Sequence, residues 1–245
     1  MEQTFRRLFF LPLAISLIRR SENTVNTSLP LPLNKGESNC QAARILEDAL
    51  KRGVDLLGGS SLLLITSPIL LACALGVRLS SKGPILFRQA RVGKNGKEFI
   101  LYKLRSMYPN DREACGWTTE DDVRVTPFGA ILRRFSLDEL PQLWNVIIGD
   151  MSLVGPRPET PHYVRIFSER FPDYPKRHAV RPGLTGLAQI MGLRGNTSIR
   201  RRLEADLAYL SHQSLLLDLA ILLLTPGRVL SSEEKAFVRN RRSMP

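Results

Sequence analysis

Cysteine and histidine are scarce: the 245-residue chain holds three of each. Cys40, Cys73 and Cys115 are widely spaced, odd in number and form no Cys-x-x-Cys pair. That excludes a disulfide framework and a cysteine zinc site, and fits a reducing compartment. His162, His178 and His212 do not fall beside acids at ligand spacing, so each reads as structural or surface. The chain also lacks a true phosphate loop. Gly93-Lys94-Asn95-Gly96-Lys97 imitates one, without the spacing or the following Ser or Thr of a Walker motif. Acidic residues are few beside basic ones, 23 against 35, which leaves a net charge of +12. So basic a chain calls for an anionic partner: nucleic acid, an anionic bilayer surface or phosphorylated substrates. No helix-turn-helix, zinc pattern or aromatic-interleaved basic stripe supports the first of these.

Charge itself is missing from Leu56 to Val77. A straight helix of that stretch reaches roughly 33 Å, enough for a ~30 Å hydrocarbon core. Two features argue against plain spanning. Ser67-Pro68 falls at the middle, where proline removes a backbone hydrogen bond and kinks a helix. Both flanks are basic, with Lys51 and Arg52 before and Arg78 and Lys82 after, and positive charge marks the cytoplasmic side. A re-entrant hairpin and a kinked spanning helix both remain open on these grounds. Upstream, Leu8–Ile18 is apolar between arginine pairs, too short to span and without a small-x-small cleavage site. Residues 21–40 read as a linker.

Beyond the apolar stretch the pattern is mixed. Residues 85–92 and 97–104 form two β-like runs around Asn95-Gly96, the strongest short hairpin signal. Residues 108–124 read as a polar loop, 160–170 and 199–212 as helices, and 182–189 as a glycine-punctuated loop and short strand. Leu215–Leu224 is apolar apart from Asp218 and suits a core or interfacial helix. Residues 231–245 are a basic tail. The fold expected is α+β and helix-rich. Its parts are an N-terminal extension and linker (1–45), a membrane helix (46–80), a folded body (81–230) and the tail (231–245).

The chain is organised around Arg133–Pro158. Asp138 and Glu139 precede Leu140, Leu143, Trp144 and Ile147, whose helical spacing predicts a core-facing stripe. Pro141 belongs in the first turn, which places both acids at a helix N-terminus. The helix ends near Gly149, and Pro156 and Pro158 bracket Arg157 in a stiff loop. Two acids, a helix start and several arginines suggest a metal ion and phosphates. A simpler account competes: Ser136 and Glu139 match the capping box Ser-x-x-Glu.

The ordered motifs carry a resemblance. They are Lys51-Arg52-x-x-Asp55, Ser67-Pro68, Gly83-Pro84-Ile85-Leu86-Phe87-Arg88-Gln89, Tyr102-Lys103-Leu104-Arg105-Ser106-Met107, Ser136–Gln142, Gly149–Pro158 and Pro182–Gln189. From about Lys51 to Pro226 the chain resembles the bacterial sugar transferases, small monotopic polyprenyl-phosphate phosphoglycosyl transferases. It departs slightly from them at Ile190-Met191-Gly192-Leu193-Arg194, where the family usually has Asn-Gly-Arg after Ala-Gln. The resemblance implies a re-entrant membrane hairpin broken at Ser67 and Pro68, interfacial helices, and an active site on the cytoplasmic face of the bacterial inner membrane. It implies transfer of a phospho-sugar from a UDP-sugar to polyprenyl phosphate in the bilayer, with release of UMP and Mg²⁺ as cofactor. Downstream glycosyltransferases would take the product. Residue by residue, it implies Asp138 as nucleophile and Glu139 as Mg²⁺ ligand beside it. Arg133 and Arg157 would bind phosphate, with Lys103, Arg105 and Asp150 as further contacts. The rival readings are a membrane-tethered nucleic-acid-binding protein, on charge alone, and an inactive scaffold, against which the intact Asp138, Glu139 and Arg157 argue.

Overall fold

Pro68 does not end the long apolar helix. Helix α1 runs Glu37–Ser80 with the proline inside it. Proline has no N–H to offer the carbonyl of Leu64 four residues back. The Ser67 hydroxyl donates to that carbonyl instead, at 2.7 Å, and the Thr66 hydroxyl donates to Leu62 at 2.7 Å. A polar backbone group freed in an apolar setting is thereby satisfied. A computed structural model describes the backbone of residues 37–108, 122–195 and 197–242, with side chains over 46–108, 122–195 and 197–228. The leader-like stretch, most of the linker and most of the polar loop lie outside those residues. Among the described residues, Leu46–Ser80 is the one helix long and apolar enough to cross a membrane, with mean hydropathy 2.1.

Both ends of α1 dock on one folded body. Near its start, Arg52 donates to the carbonyls of Val146 and Ile147, each at 2.7 Å, and Asp55 accepts from Ser152 Oγ and Leu153 N, each at 2.9 Å. Near its end, Cys73 and Val77 pack against Leu104 and Leu132. Between these anchorages Leu64, Ile65 and Leu71 lie more than two-thirds exposed.

The expected hairpin is present as β1 (Leu86–Val92) and β2 (Glu98–Leu104), antiparallel, with Leu86 opposite Leu104 and Val92 opposite Glu98. Asn95 and Gly96 take positive φ, 57° and 77°, as that turn demands. Helix α2 (Pro127–Arg134) starts from a Thr126 cap whose hydroxyl accepts from Gly129 N at 2.9 Å. A short 3₁₀ turn, Leu137–Glu139, leads into α3 (Gln142–Ile148), which Gly149 closes at φ 96°.

The face of α3 differs from the expected stripe. Leu143 and Val146 are buried, but so are Gln142 and Asn145, while Trp144 is half exposed. Asn145 explains the rotation. Its side chain accepts from Tyr102 N at 3.2 Å and donates to the Ile100 carbonyl at 2.7 Å, pairing the open edge of β2. Trp144 and Ile148 consequently face outward, as do Ile131 on α2 and Phe135 just beyond it.

Strand β3 (Ser152–Val154) pairs in parallel with β4 (Gly183–Thr185). Helix α4 (Pro161–Arg170) and a 3₁₀ segment, Tyr174–Ala179, connect them. The chain closes with α5 (Leu187–Ile190), α6 (Ile199–Ser211) and α7 (Leu215–Arg242). Pro226 lies inside α7, so this helix outruns the apolar decapeptide and continues into the basic tail. The main core joins Leu101, Leu143, Val146, Met151, Leu153, Val154, Leu187, Tyr209 and Ile221. Strands β2 and β3 and helices α3, α6 and α7 thus share one interior.

Candidate active site

The Arg157 loop leaves β3 directly, and the four carbonyls from Pro156 to Glu159 are all tied. Gly183 N donates to Pro156 O at 2.9 Å, Arg177 Nη2 to Arg157 O at 2.7 Å, Arg91 Nη1 to Pro158 O at 3.0 Å, and Val92 N to Glu159 O at 3.0 Å. Arg177 is itself fixed by a buried ion pair with Asp206, 2.7 Å from Nη2 to Oδ2. Glu159 adds ion pairs to Arg91 at 3.5 Å and Arg202 at 3.6 Å. A Cβ on Gly155 or Gly183 would collide with the backbone of the opposite strand, so glycine permits this close approach. Two prolines and four backbone tethers hold the Arg157 side chain to one place.

From there Arg157 reaches Glu139. Nη1 lies 3.2 Å from Oε2, and Nη2 closes a second, shorter bond to Oε1. Lys103, presented by β2, donates to the same Oε1 at 3.2 Å. Burial alone would raise the Glu139 carboxyl. Arg157 and Lys103 together outweigh it and hold the group well below the usual carboxylate range. Glu139 in return raises Arg157. Burial lowers the Lys103 ammonium, and Glu139 offsets part of that.

The capping box is not made. Ser136 sits in the left-handed region at φ 55°, and its hydroxyl makes no capping bond. Glu139 is turned to its two cations instead.

Asp138 is placed differently from its neighbour. It is 7 % exposed, yet its oxygens are not sealed off and take no hydrogen bond from the described residues. Burial, and next the Glu139 charge, push its carboxyl up to about 6; Lys103, Arg133 and Arg157 pull the other way. Arg133 lies on α2 and donates from Nε to Ser106 Oγ at 2.8 Å.

Arg105 is used elsewhere. Its guanidinium donates to the carbonyls of Pro84 at 2.5 Å and Ser81 at 2.7 Å and to Ser81 Oγ at 2.9 Å, and Nη2 lies 3.5 Å from Val77 O. It caps the end of α1. Asp150 follows Gly149, half-buried. Ser67 and Pro68 lie in mid-helix, away from these charges.

Asp138, Glu139, Lys103, Arg133 and Arg157 therefore meet. Sequence pattern did not single out the groups behind them: Asn145, Ser106, Arg91, Glu159, Arg177 and Asp206. Arginine beside a polar loop carries no pattern that separates a tether from a solvated charge. Arg194, in the segment that departs from the family motif, lies within electrostatic reach of Glu139.

Among the described residues no three His, Cys, Asp or Glu side chains group as metal ligands. Mg²⁺ commonly needs only one or two carboxylates and takes its remaining oxygens from water and substrate phosphates. The adjacent acids fit that mode, with Asp138 unbonded by the described residues. They do not fit a cage made by protein alone.

Residues 46–232 match the family described as bacterial sugar transferase. Over 195 residues the chain is 45% identical to a UDP-glucose:undecaprenyl-phosphate glucose-1-phosphate transferase of Caulobacter vibrioides, covering 78% of this chain and 73% of that protein. It is 45% identical over 185 residues to the exopolysaccharide production protein PSS of Rhizobium leguminosarum bv. phaseoli, covering 71% and 91%. It is also 40% identical over 185 residues to a UDP-N-acetylgalactosamine-undecaprenyl-phosphate N-acetylgalactosaminephosphotransferase of Aeromonas hydrophila, covering 74% of this chain and 44% of that longer protein. With the family match over most of its length and relatives at 45% identity, the chain belongs to the bacterial sugar transferase family.

Proposed function

We propose that the protein transfers a sugar 1-phosphate from a UDP-sugar to undecaprenyl phosphate, releasing UMP and starting assembly of a polysaccharide. The observation that carries this reading is the divergence of two adjacent carboxylates. Glu139 is locked by Arg157 and Lys103, while Asp138 is buried and unbonded.

Asp138 Oδ attacks the phosphorus that bears the sugar. The bond from that phosphorus to the bridging oxygen breaks, and UMP leaves with the oxygen and its electron pair. An oxygen of undecaprenyl phosphate then attacks the same phosphorus and the Asp138 carboxylate departs. This double displacement uses carboxylate as a covalent nucleophile. Arg133 and Arg157 bind phosphate oxygens, and the tethered loop keeps Arg157 in register with them. Lys103 adds positive charge beside Glu139. Glu139 and Asp138 would hold Mg²⁺, which when bound screens the diphosphate against the anionic nucleophile.

The reaction belongs at the headgroup level of a membrane, because its acceptor is a lipid phosphate. Helix α1 supports a re-entrant placement. Asp55 and Val77 both touch the same folded body. A helix crossing the bilayer between those points would carry the body's charged side chains into hydrocarbon. Trp144, Ile148, Ile131 and Phe135 supply exposed apolar contacts suited to an interface. The reading puts both flanks, and the active site, on the cytoplasmic side.

The test is to incubate the purified full chain with Mg²⁺, undecaprenyl phosphate and a panel of UDP-sugars. With at least one sugar, UMP should appear beyond one equivalent per enzyme, and only when the lipid is supplied in substrate amounts. Silence with every donor, from protein that is folded and membrane-bound, would remove this reading.

A further inference from the structure

Gln142 opens α3 and is 2 % exposed. Its Nε2 is enclosed without a partner, and neither end of the amide bonds to a described residue. An enclosed amide left unbonded costs stability, whereas an apolar side chain of the same size in its place would not. Asn145, on the next turn, shows that the fold can satisfy such a group: its amide is bonded at both ends to β2. A purely structural amide at Gln142 is the simpler account, and it would be bonded in the same way.

Gln142 has a neighbour instead. From Leu137 to Ile148 the chain follows one right-handed path: the 3₁₀ turn, then Leu140 and Pro141 in helical conformation, then α3. Asp138, Gln142 and Asn145 succeed one another along one face of it, with neighbouring Cβ atoms about 5–6 Å apart. All three are buried. Asn145 holds that face against β2, the strand that also presents Lys103 to Glu139. At the other end of the row Asp138 takes no hydrogen bond from the described residues. An acceptor without a donor and a donor without an acceptor thus stand one turn apart.

We infer that Gln142 is a positioning residue for the nucleophile: in the reacting complex its Nε2–H donates to the Asp138 oxygen that does not attack. This rests on the function proposed above, in which the other Asp138 oxygen forms the bond to phosphorus and later releases it. The oxygen facing Gln142 stays an acceptor throughout, first as half of a carboxylate and then as the carbonyl of the phosphosugar–aspartate. A carboxamide serves both states, because it donates a hydrogen bond without giving up a proton. The acceptor oxygen has two lone pairs, so this bond leaves one for Mg²⁺. Hydrogen bonds to catalytic groups are often long without substrate and close when it is bound.

The experiment compares wild type, Gln142→Met and Gln142→Leu, as full chains in phospholipid nanodiscs. Each is mixed with Mg²⁺ and a radiolabelled UDP-sugar, without lipid acceptor, and label that survives denaturation is followed in time by rapid quench. The half-saturating donor concentration and the thermal midpoint are measured beside it. In both variants the maximal labelling rate should fall about tenfold or more, the loss expected for a hydrogen bond to a charged group. The half-saturating concentration should stay within about twofold of wild type, because Gln142 does not touch the donor. The midpoint should equal or exceed that of wild type, because an unbonded amide has been removed. Slower chemistry in a protein no less stable is a result that a merely structural amide does not give. Labelling rates within about twofold of wild type overturn the inference. So does a loss that tracks a lowered midpoint in both variants, or one confined to the half-saturating concentration. Wild type that takes label from no donor removes the double displacement and this inference with it. Failure of that reading therefore shows in wild type, and failure of the inference alone shows only in the variants.

Discussion

Asp138 and Glu139 are neighbours in the chain and opposites in environment. Glu139 is compensated by two cations. Asp138 is mostly buried, with no cation bonded to it, and its carboxyl rises to about 6. A carboxylate left unsatisfied at neutral pH is strained by the fold and available to a phosphorus atom. The effect on stability has a definite sign. The folded state holds the Asp138 proton more tightly than the unfolded chain, so this contribution is fully present below about pH 4 and is lost as pH rises through about 6. Asp138→Asn should therefore raise the thermal midpoint at pH 7.5, in chelator, by the equivalent of about 1 kcal/mol or more, and do so much less at pH 4. The same variant should retain no label from radiolabelled UDP-sugar after denaturation, where wild type does. A capping aspartate would behave in the reverse way, losing stability and keeping its label. Arg157→Lys tests the other half of the site. Lysine keeps the charge but not the two-pronged geometry, so turnover should fall roughly a hundredfold with little change in midpoint. Near-normal turnover would make Pro156 and Pro158 a plain turn. The acids, Lys103, Arg133 and Arg157 were legible because they sit in ordered motifs. Arg177 and Arg91 were not, because the carbonyls and charges they bond lie far away in sequence.

Elements are joined by buried charges more than the sequence suggests. Lys51 looks like a topology mark, a positive charge flanking an apolar run. In the structure its Nζ bonds Asp218 on α7 at 2.6 Å and the Val154 carbonyl on β3 at 3.1 Å. Tyr209 on α6 donates to the other Asp218 oxygen at 2.7 Å. One cluster thus joins the long apolar helix α1, the last helix and the strand from which the Arg157 loop departs. Lys51→Met should leave Asp218 buried without a cation, which costs about 3 kcal/mol or more. Lys51→Met with Asp218→Leu should recover much of that stability, because an apolar pair of similar volume replaces the ion pair. A single variant as stable as wild type would mean that Lys51 acts through charge in solution alone. The hairpin and helices α4 and α6 were readable from periodicity and turn residues. The orientation of α3 was not: apolar spacing put Trp144 inward, and the pairing of Asn145 with β2 turned it out. The cap that Arg105 makes was not readable either, since the carbonyls it bonds lie at the end of α1.

At the scale of the molecule, an uncharged stretch of membrane-spanning length is tied at both ends to one basic body. The tethers differ in kind. Asp55 with Ser152 and Leu153 fixes the first arm, and Val77 packing with Arg105 capping fixes the second. Ser67 and Pro68 lie midway, where the serine hydroxyl repairs the backbone that proline disrupts. On the proposed re-entrant placement, a helix anchored in this way enters the bilayer without delivering its far end to the opposite side. Cysteine labelling in cells tests this directly. With Cys40, Cys73 and Cys115 replaced, single cysteines at Asp48 and Lys82 flank the apolar stretch. Neither should react with a membrane-impermeant maleimide in intact cells, and both should react after permeabilisation. Labelling of one position alone from outside would establish a spanning helix and remove the re-entrant placement. The break has its own test. Replacing Ser67 and Pro68 together by leucine restores the missing N–H and removes the bend-prone step. If the break holds both flanks on one side, this variant should expose the Lys82 position to outside label in part of the population. Activity should fall in proportion, because a second arm on the far side cannot keep Val77 against Leu104 and Leu132. Full activity together with outside labelling would separate topology from catalysis and defeat the coupling between them.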